Sequence, residues 1–251
     1  MKIINWNVFS GNKKIEDSLK LVFKRAPDII CLQEFPVKSK KILNSYPDYD
    51  FVYCKDYSTL TDFIRRTTAL MVVGIKKKIK FKSKIIRFPH YKGYNLIRRY
   101  WKWDECREGL VIDFNYKGKK VRLFNVHFSF AASPDRRVFE FEKISSFFNK
   151  KNNIVCGDFN IISKRRYKYF FGWIFTYRFK DYFKNEKEIF SNLFKENNLK
   201  NIFKGNYTHR SVGMQLDYVL IPNSWNSGDL VVDKESSLYS DHLLMDVDLN
   251  P

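Results

Sequence analysis

Short apolar runs of strand length recur from one end of this chain to the other, and they constrain its fold more than any other feature. They lie at Ile3–Val8, Ile29–Leu32, Phe51–Tyr53, Ala69–Ile75, Leu110–Phe114, Val121–Phe128, Ile154–Cys156, Leu216–Ile221 and Leu243–Leu249. Three segments have helical spacing instead. Ile15, Leu19, Val22 and Phe23 form one, ending before Pro27; Ile189, Leu193, Phe194 and Asn197 mark another. Between them, Val138, Phe141, Ile144 and Phe148 follow Ser133-Pro134, an N-cap residue with proline at the first helical position. Strands dominate, and the order fits a layered mixed-sheet α/β domain better than a regular βαβ alternation. No internal repeat and no Gly/Ser linker stands out, so residues 1–251 are expected to form a single domain. Two stretches break the pattern, Pro89–Arg107 and Lys164–Lys187. Both are crowded with basic and aromatic residues and read as excursions from the core.

With 46 Lys and Arg against 27 Asp and Glu, the formal charge is +19. A polyanionic partner follows, nucleic acid first and an anionic membrane surface second. The same bias toward Lys, Asn, Ile, Phe and Tyr is also what AT-rich coding sequence would produce. No protein partner is implied. Cys31 and Cys156 sit inside apolar runs, where a thiol behaves as a small hydrophobe, and no Cys or His spacing suggests zinc or disulfides. Met1 leads straight into an alternating run rather than an export signal, and no stretch is long and apolar enough to span a bilayer. A reducing, cytoplasmic setting is the expectation.

Polar residues at the tips of apolar strands carry the functional information, because a core strand has no packing reason to hold carboxylates or amides there. They are Asn5-Trp6-Asn7, Gln33-Glu34, Asn125-Val126-His127, Gly157-Asp158-Phe159-Asn160, and the pair Leu216-Asp217-Tyr218 with Ser240-Asp241-His242. In order and approximate spacing these segments resemble the signature of the endonuclease/exonuclease/phosphatase superfamily over almost the whole chain. The resemblance implies a DNase I-like four-layer α/β fold, two mixed β-sheets flanked by helices, with these loops meeting at one edge.

It also implies a metal-dependent phosphodiester hydrolase. Mg²⁺, with Mn²⁺ as the alternative, is a hard cation that prefers carboxylate and amide oxygens. Glu34 is the first choice as ligand, with Asn7 beside it and Asp241 contributing directly or through water. By resemblance, Asp158 would hold or activate the attacking water and Asn160 would bind a phosphate oxygen. His242, oriented by Asp217, and His127 would donate to the oxygens on which charge develops. Arg165 and Arg166, just past the Asp158–Asn160 loop, are the expected substrate contacts. His90 and His209 match nothing in the family pattern and read as loop histidines.

Arg66–Met71 falls where DNase I-type enzymes hold a Glu that works with the first histidine, and here that position is Thr. Followed by Lys82–Pro89, this segment looks more like the tyrosyl-DNA phosphodiesterase branch, although that branch usually has Thr where Phe159 stands. Nucleic acid is the expected substrate. A phospholipid, as for a sphingomyelinase, or an inositol phosphate is the alternative, and a silent binding module is a third reading.

Overall fold

Alternation along the strands decides the layering. In β1 (Lys2–Asn7) Ile3 enters the core between two sheets, while Ile4 and Trp6 pack outward against α1 (Ile15–Phe23). The same parity holds in β2 (Ile29–Pro36): Ile29 and Cys31 face inward, Ile30 and Leu32 outward. The computed structural model from which this follows describes residues 1–57, 69–89, 107–130, 132–173 and 177–251.

The first sheet has the order β11-β12-β1-β2-β4-β3. It is built from β1 and β2 with β3 (Tyr49–Tyr57), β4 (Ala69–Lys76), β11 (Asn226–Asp233) and β12 (Leu244–Asn250). The second sheet has the order β5-β6-β7-β8-β10-β9. Its strands are β5 (Phe81–Arg87), β6 (Glu108–Tyr116), β7 (Lys119–His127), β8 (Asn153–Asp158), β9 (Leu199–Asn201) and β10 (Asp217–Pro222). Leu110, Leu123, Ile154 and Val219 of the second sheet meet Ile29, Val73 and Met245 of the first in a common inner layer. On the outer face of the second sheet, α2 (Pro134–Ser145) and α4 (Glu186–Glu196) cover Phe124, Val126 and Val155 with Phe141, Ile144, Phe190 and Phe194. The four layers are therefore helix, sheet, sheet, helix, a DNase I-like α/β sandwich. Among the described residues no helix is long and apolar enough to cross a membrane.

Both sheets repeat one topology although no sequence repeat announces it. In each, a parallel pair bridged by a helix, β1-α1-β2 or β7-α2-β8, lies between antiparallel neighbours. Asn5 stands opposite Cys31 in the first pair, as Asn125 stands opposite Cys156 in the second. Asn7 opposite Gln33 and His127 opposite Asp158 end the two pairs in the same way.

Every apolar run named from the sequence lies in or against a strand, and all three helices form. The first matches closely, the second ends at Ser145 rather than Phe148, and the third starts earlier, at Glu186, where the Asn185 side chain caps the Glu188 amide. The three additional strands β5, β9 and β11 are sheet edges; β9 has three residues, and β5 and β11 have mostly exposed side chains. An edge strand with little buried surface leaves no apolar alternation to read.

Candidate active site

The inner layer is apolar along most of its length and turns polar at one end. Gln33 Nε2 donates to Asn5 Oδ1 at 2.9 Å and to Asn125 Oδ1 at 2.7 Å. Asn125 Nδ2 donates in turn to the Leu32 and Val72 carbonyls. All three amides are fully buried, so this network ties sheet to sheet directly beneath the loops and fixes their spacing.

Above it, Asp158 gathers the groups that the sequence singled out. It ends β8 beside His127 because Gly157 lets the two strands close up: a Cβ at Gly157 would lie 1.9 Å from the Val126 carbonyl oxygen, at a φ of +148°. Asp158 Oδ1 accepts from the Asn160 amide at 2.9 Å. Three donors surround Oδ2: Asn7 Nδ2 at 3.1 Å, His127 Nε2 at 3.5 Å and His242 Nε2 at 3.7 Å. Burial raises the pKa of Asp158, and Asp217 adds to the effect, against the opposing pull of His242 and His127. Asn160, left-handed at φ +51°, turns the chain and donates its side-chain amide to the Phe128 carbonyl, joining the loops after β7 and β8.

Each imidazole is held from behind by a carboxylate. His242 Nδ1 lies 2.8 Å from Asp217 Oδ2, and the Asp217 amide is itself fixed by Thr208 Oγ1 at 2.9 Å. Burial opposes a charged His242, yet Asp217 and then Asp158 outweigh it and its pKa is pushed up to about 10. His127 Nδ1 lies 2.9 Å from Asp56 Oδ1. There too burial works against the charge and the carboxylate prevails, so the pKa of His127 is raised while that of Asp56 is lowered. With Nδ1 bonded to a carboxylate and the charged form favoured, both rings also carry a proton at Nε2 and face Asp158 as donors.

Glu34 sits on a bulge of β2 between Leu32 and Phe35, in the left-handed region at φ +55°. Such a conformation costs a non-glycine residue on the order of 1 kcal/mol and persists only where surrounding contacts enforce it. Here the Glu34 amide donates to Asp56 Oδ2 at 2.7 Å. Among the described residues its carboxylate takes amide hydrogens alone, from Asn7 Nδ2 at 3.1 Å and the Ser10 backbone at 3.2 Å. Asn7 thus spans the Glu34 and Asp158 carboxylates, and its Oδ1 accepts from the Phe9 amide. Asp241 lies on the same rim: Ser240 Oγ donates to the Asn7 carbonyl and approaches Asp241 Oδ1 at 3.4 Å.

The donor set suits a hard divalent cation. Oxygens predominate, and one of them, Asp217 Oδ1, is buried with no hydrogen-bond partner. Two groups among the described residues have metal-ligand spacing, Asp158–Asp217–His242 and His209–Asp241–His242. Both contain ion pairs already balanced by imidazole. Glu34 belongs to neither group, and among the described residues no cation pairs with it.

The structure adds Asp56, Arg107 and His209 to the cluster. Asp56 supplies His127 with the acid partner that Arg66–Met71 did not offer; of that segment, residues 66–68 lie outside the described residues, as does His90. Inward parity with buried Cys54 was the available signal, since an acid facing the core requires a partner. Arg107 approaches Asp56 at 3.6 Å and donates to the His127 carbonyl at 3.3 Å. His209 is no ordinary loop residue: its ring packs edge-on against His242 with centroids 4.5 Å apart, and its Nε2 lies 3.4 Å from Asp241. Arg165 and Arg166 are exposed on α3 (Arg165–Phe171), in contact with Tyr169 and Tyr167 of their own helix.

Known structures share this architecture. An endonuclease/exonuclease/phosphatase from Beutenbergia cavernae DSM 12333 aligns over 100% of this chain and 71% of its own, with a TM-score of 0.73 and 14% identity. The human Nocturnin catalytic domain with bound sulfate covers 100% and 94%, at 0.70 and 17%. D. rerio TDP2 complexed with a single-strand DNA product covers 100% and 99%, at 0.68 and 14%. No curated protein matches the chain by sequence. The Endonuclease/Exonuclease/phosphatase family model, however, matches residues 4–242, the span that holds every strand-tip residue from Asn5 to His242, and the chain belongs to that family.

Proposed function

We propose that this family member is a Mg²⁺-dependent phosphodiester hydrolase acting on nucleic acid, with Mn²⁺ as an alternative ion. One observation carries the reading: two imidazoles, each backed at Nδ1 by a buried carboxylate, aim Nε2 at the same Asp158 oxygen. A purely structural cluster has no need of two cationic donors on one carboxylate. An anionic oxygen arriving at this point would find both donors already oriented.

Glu34, with Asn7 and Asp241 beside it, would hold the ion. Bound there, Mg²⁺ would supply polarisation of a phosphoryl oxygen and offset charge on the leaving oxygen. Asp158, made more basic by burial, accepts a proton from the attacking water. Asn160 Nδ2, which gives one hydrogen to the Phe128 carbonyl, offers its second to a phosphate oxygen. His127 and His242 donate from Nε2 as negative charge grows, and Asp56 and Asp217 keep them in the donating form.

Nucleic acid is favoured by the +19 charge. The DNA product named for D. rerio TDP2, a structural neighbour, points the same way. The test is incubation with Mg²⁺ or Mn²⁺ and a labelled panel of single-stranded, duplex, abasic and 5′-tyrosyl oligonucleotides, beside sphingomyelin and inositol phosphates. EDTA-sensitive cleavage of an oligonucleotide that disappears in His242→Asn is the expected result. Hydrolysis confined to the lipid or the inositol phosphates would overturn the choice of substrate, and no hydrolysis at all would overturn the reaction.

A further inference from the structure

Residues 165–173 and 177–184 form a knob whose two arms are fastened together from within. The Tyr177 amide donates to the Gly172 carbonyl at 2.8 Å, Lys168 Nζ donates to the Lys184 carbonyl, and the rings of Tyr169 and Tyr182 stack 5.9 Å apart. Tyr177 is buried with Ile162, Met214 and Leu216, so the knob is rooted beside the Asp158–Asn160 loop. Both acids of the 164–187 stretch turn inward. Asp181 is fully buried and meets Lys184 at 3.0 Å; Glu186 is fully buried against Arg137.

What remains on the outside is cationic and aromatic. Arg165, Arg166, Arg178 and Lys180 are exposed. Phe179 is 83% exposed, Phe170 74%, Phe183 62% and Trp173 52%. With Tyr169, these are the five most exposed aromatic side chains among the described residues. The Phe179 and Phe183 rings touch at 5.2 Å, and the Trp173 indole N–H is already bonded to the Phe170 carbonyl. Rings that project this far, and carry no free polar tip, gain by entering an apolar phase; flanking cations gain from anionic headgroups. Base stacking asks instead for aromatic faces laid along a groove that tracks a phosphate backbone.

We infer that this knob docks the protein on an anionic phospholipid bilayer, with Phe170, Trp173, Phe179 and Phe183 entering the interface and Arg165, Arg166 and Arg178 meeting lipid phosphates. Charge complementarity selects the occupant, because the acids of the stretch itself are buried and paired, and the exposed Asp135 beside it is taken up by Lys180 and Lys184, leaving Arg165, Arg166 and Arg178 as exposed cations. The inference is independent of which phosphodiester the active site cleaves.

Vesicle sedimentation tests it on the full chain. Vesicles of phosphatidylcholine with roughly 30 mol % phosphatidylserine should retain the protein, and vesicles of phosphatidylcholine alone should retain much less. Phe170→Ser with Phe179→Ser keeps the net charge and removes two side chains that the fold does not bury. That variant should keep its melting temperature and lose vesicle affinity by about tenfold or more, since each aromatic contributes up to a few kcal/mol on burial. Its binding of a single-stranded oligonucleotide, read by gel shift, should be unchanged. Failure of the unaltered protein to sediment with the anionic vesicles, or equal sedimentation of the variant, would overturn the inference. Loss of oligonucleotide binding with vesicle affinity intact would assign the knob to nucleic acid instead. Oligonucleotide cleavage by the same variant stands apart from these readouts and reports on the active site alone.

Discussion

Asp56 holds His127 at 2.9 Å through one oxygen and fixes the strained Glu34 amide at 2.7 Å through the other. One buried carboxylate on β3 therefore sets the tautomer of a proposed donor and the backbone of the proposed principal metal ligand. Replacing it with the isosteric amide should disturb both while preserving volume. Asp56→Asn is expected to lower kcat by on the order of 10²-fold or more. It should also weaken apparent Mg²⁺ affinity, measured by metal titration of the rate. Full activity with unaltered metal dependence would show that Asp56 serves the fold alone.

Glu34 offers the site a carboxylate whose hydrogen bonds among the described residues come from amides alone. Glu34→Gln retains those acceptor contacts at one oxygen and removes the charge. Calorimetric Mg²⁺ affinity and turnover should both fall by a large factor, with a melting temperature close to that of the unaltered protein in EDTA. Unchanged affinity in the variant would move the metal to another carboxylate of the rim.

Asp217 is placed to act through His242, which it reaches at 2.8 Å, rather than on substrate. Residues that work as one unit lose their joint contribution when either is removed. The combined loss in Asp217→Asn with His242→Asn should be far smaller than the product of the single losses. Multiplicative losses, measured as kcat/KM on one oligonucleotide, would separate their roles.

Strand alternation and strand-tip polarity made the layers and most of the cluster legible in the sequence. Asn7, His127, Asp158, Asp217 and His242 converge because each ends or borders an inner-facing strand position, which period-two parity reveals. Asp56 follows the same parity, but it sits at a register shift near the end of β3, between Lys55 and Tyr57, and carries no turn residue to mark it. His209 depends on a tertiary accident of another kind: a loop bridge to Met214 and to His242 brings its ring onto the site. Local sequence holds no trace of a pairing across that distance. The knob at 165–184 was legible as a basic and aromatic excursion. Which of its side chains turn inward was not, because that rests on Arg137 and Asp135 of a separate helix.

Arg137 and Glu186 form the anchor of that arrangement. Arg137 donates to both Glu186 oxygens, to Tyr177 Oη and to the Ser129 and Ala132 carbonyls, while Glu186 Oε2 also accepts the Ile162 amide. The pair thus joins the loops after His127 and Asn160 to the base of the knob. Glu186→Gln would leave a fully buried guanidinium without its counter-charge. Breaking a buried pair in this way costs about 3–5 kcal/mol. Urea denaturation should show a loss of that order, and a change within ~0.5 kcal/mol, the range of ordinary surface substitutions, would mean that the pair is dispensable.

Alkaline pH offers a separate test of His242 in metal-free protein. Its folded pKa of about 10 stands above the ordinary 6.5 because Asp217 and Asp158 outweigh the opposing burial. The folded state then binds a proton more tightly than the unfolded state does, so protonation favours folding. That contribution is fully present below pH 6.5 and is lost as pH rises through 10. His242→Asn has no such proton to lose. With EDTA present, the stability advantage of the unaltered protein over the variant should therefore shrink steadily between pH 6.5 and 10, by on the order of a few kcal/mol. Parallel stability curves for the two proteins across it would show that His242 is not held as a cation by Asp217, and would remove its claim to donate a hydrogen bond at neutral pH in the charged form.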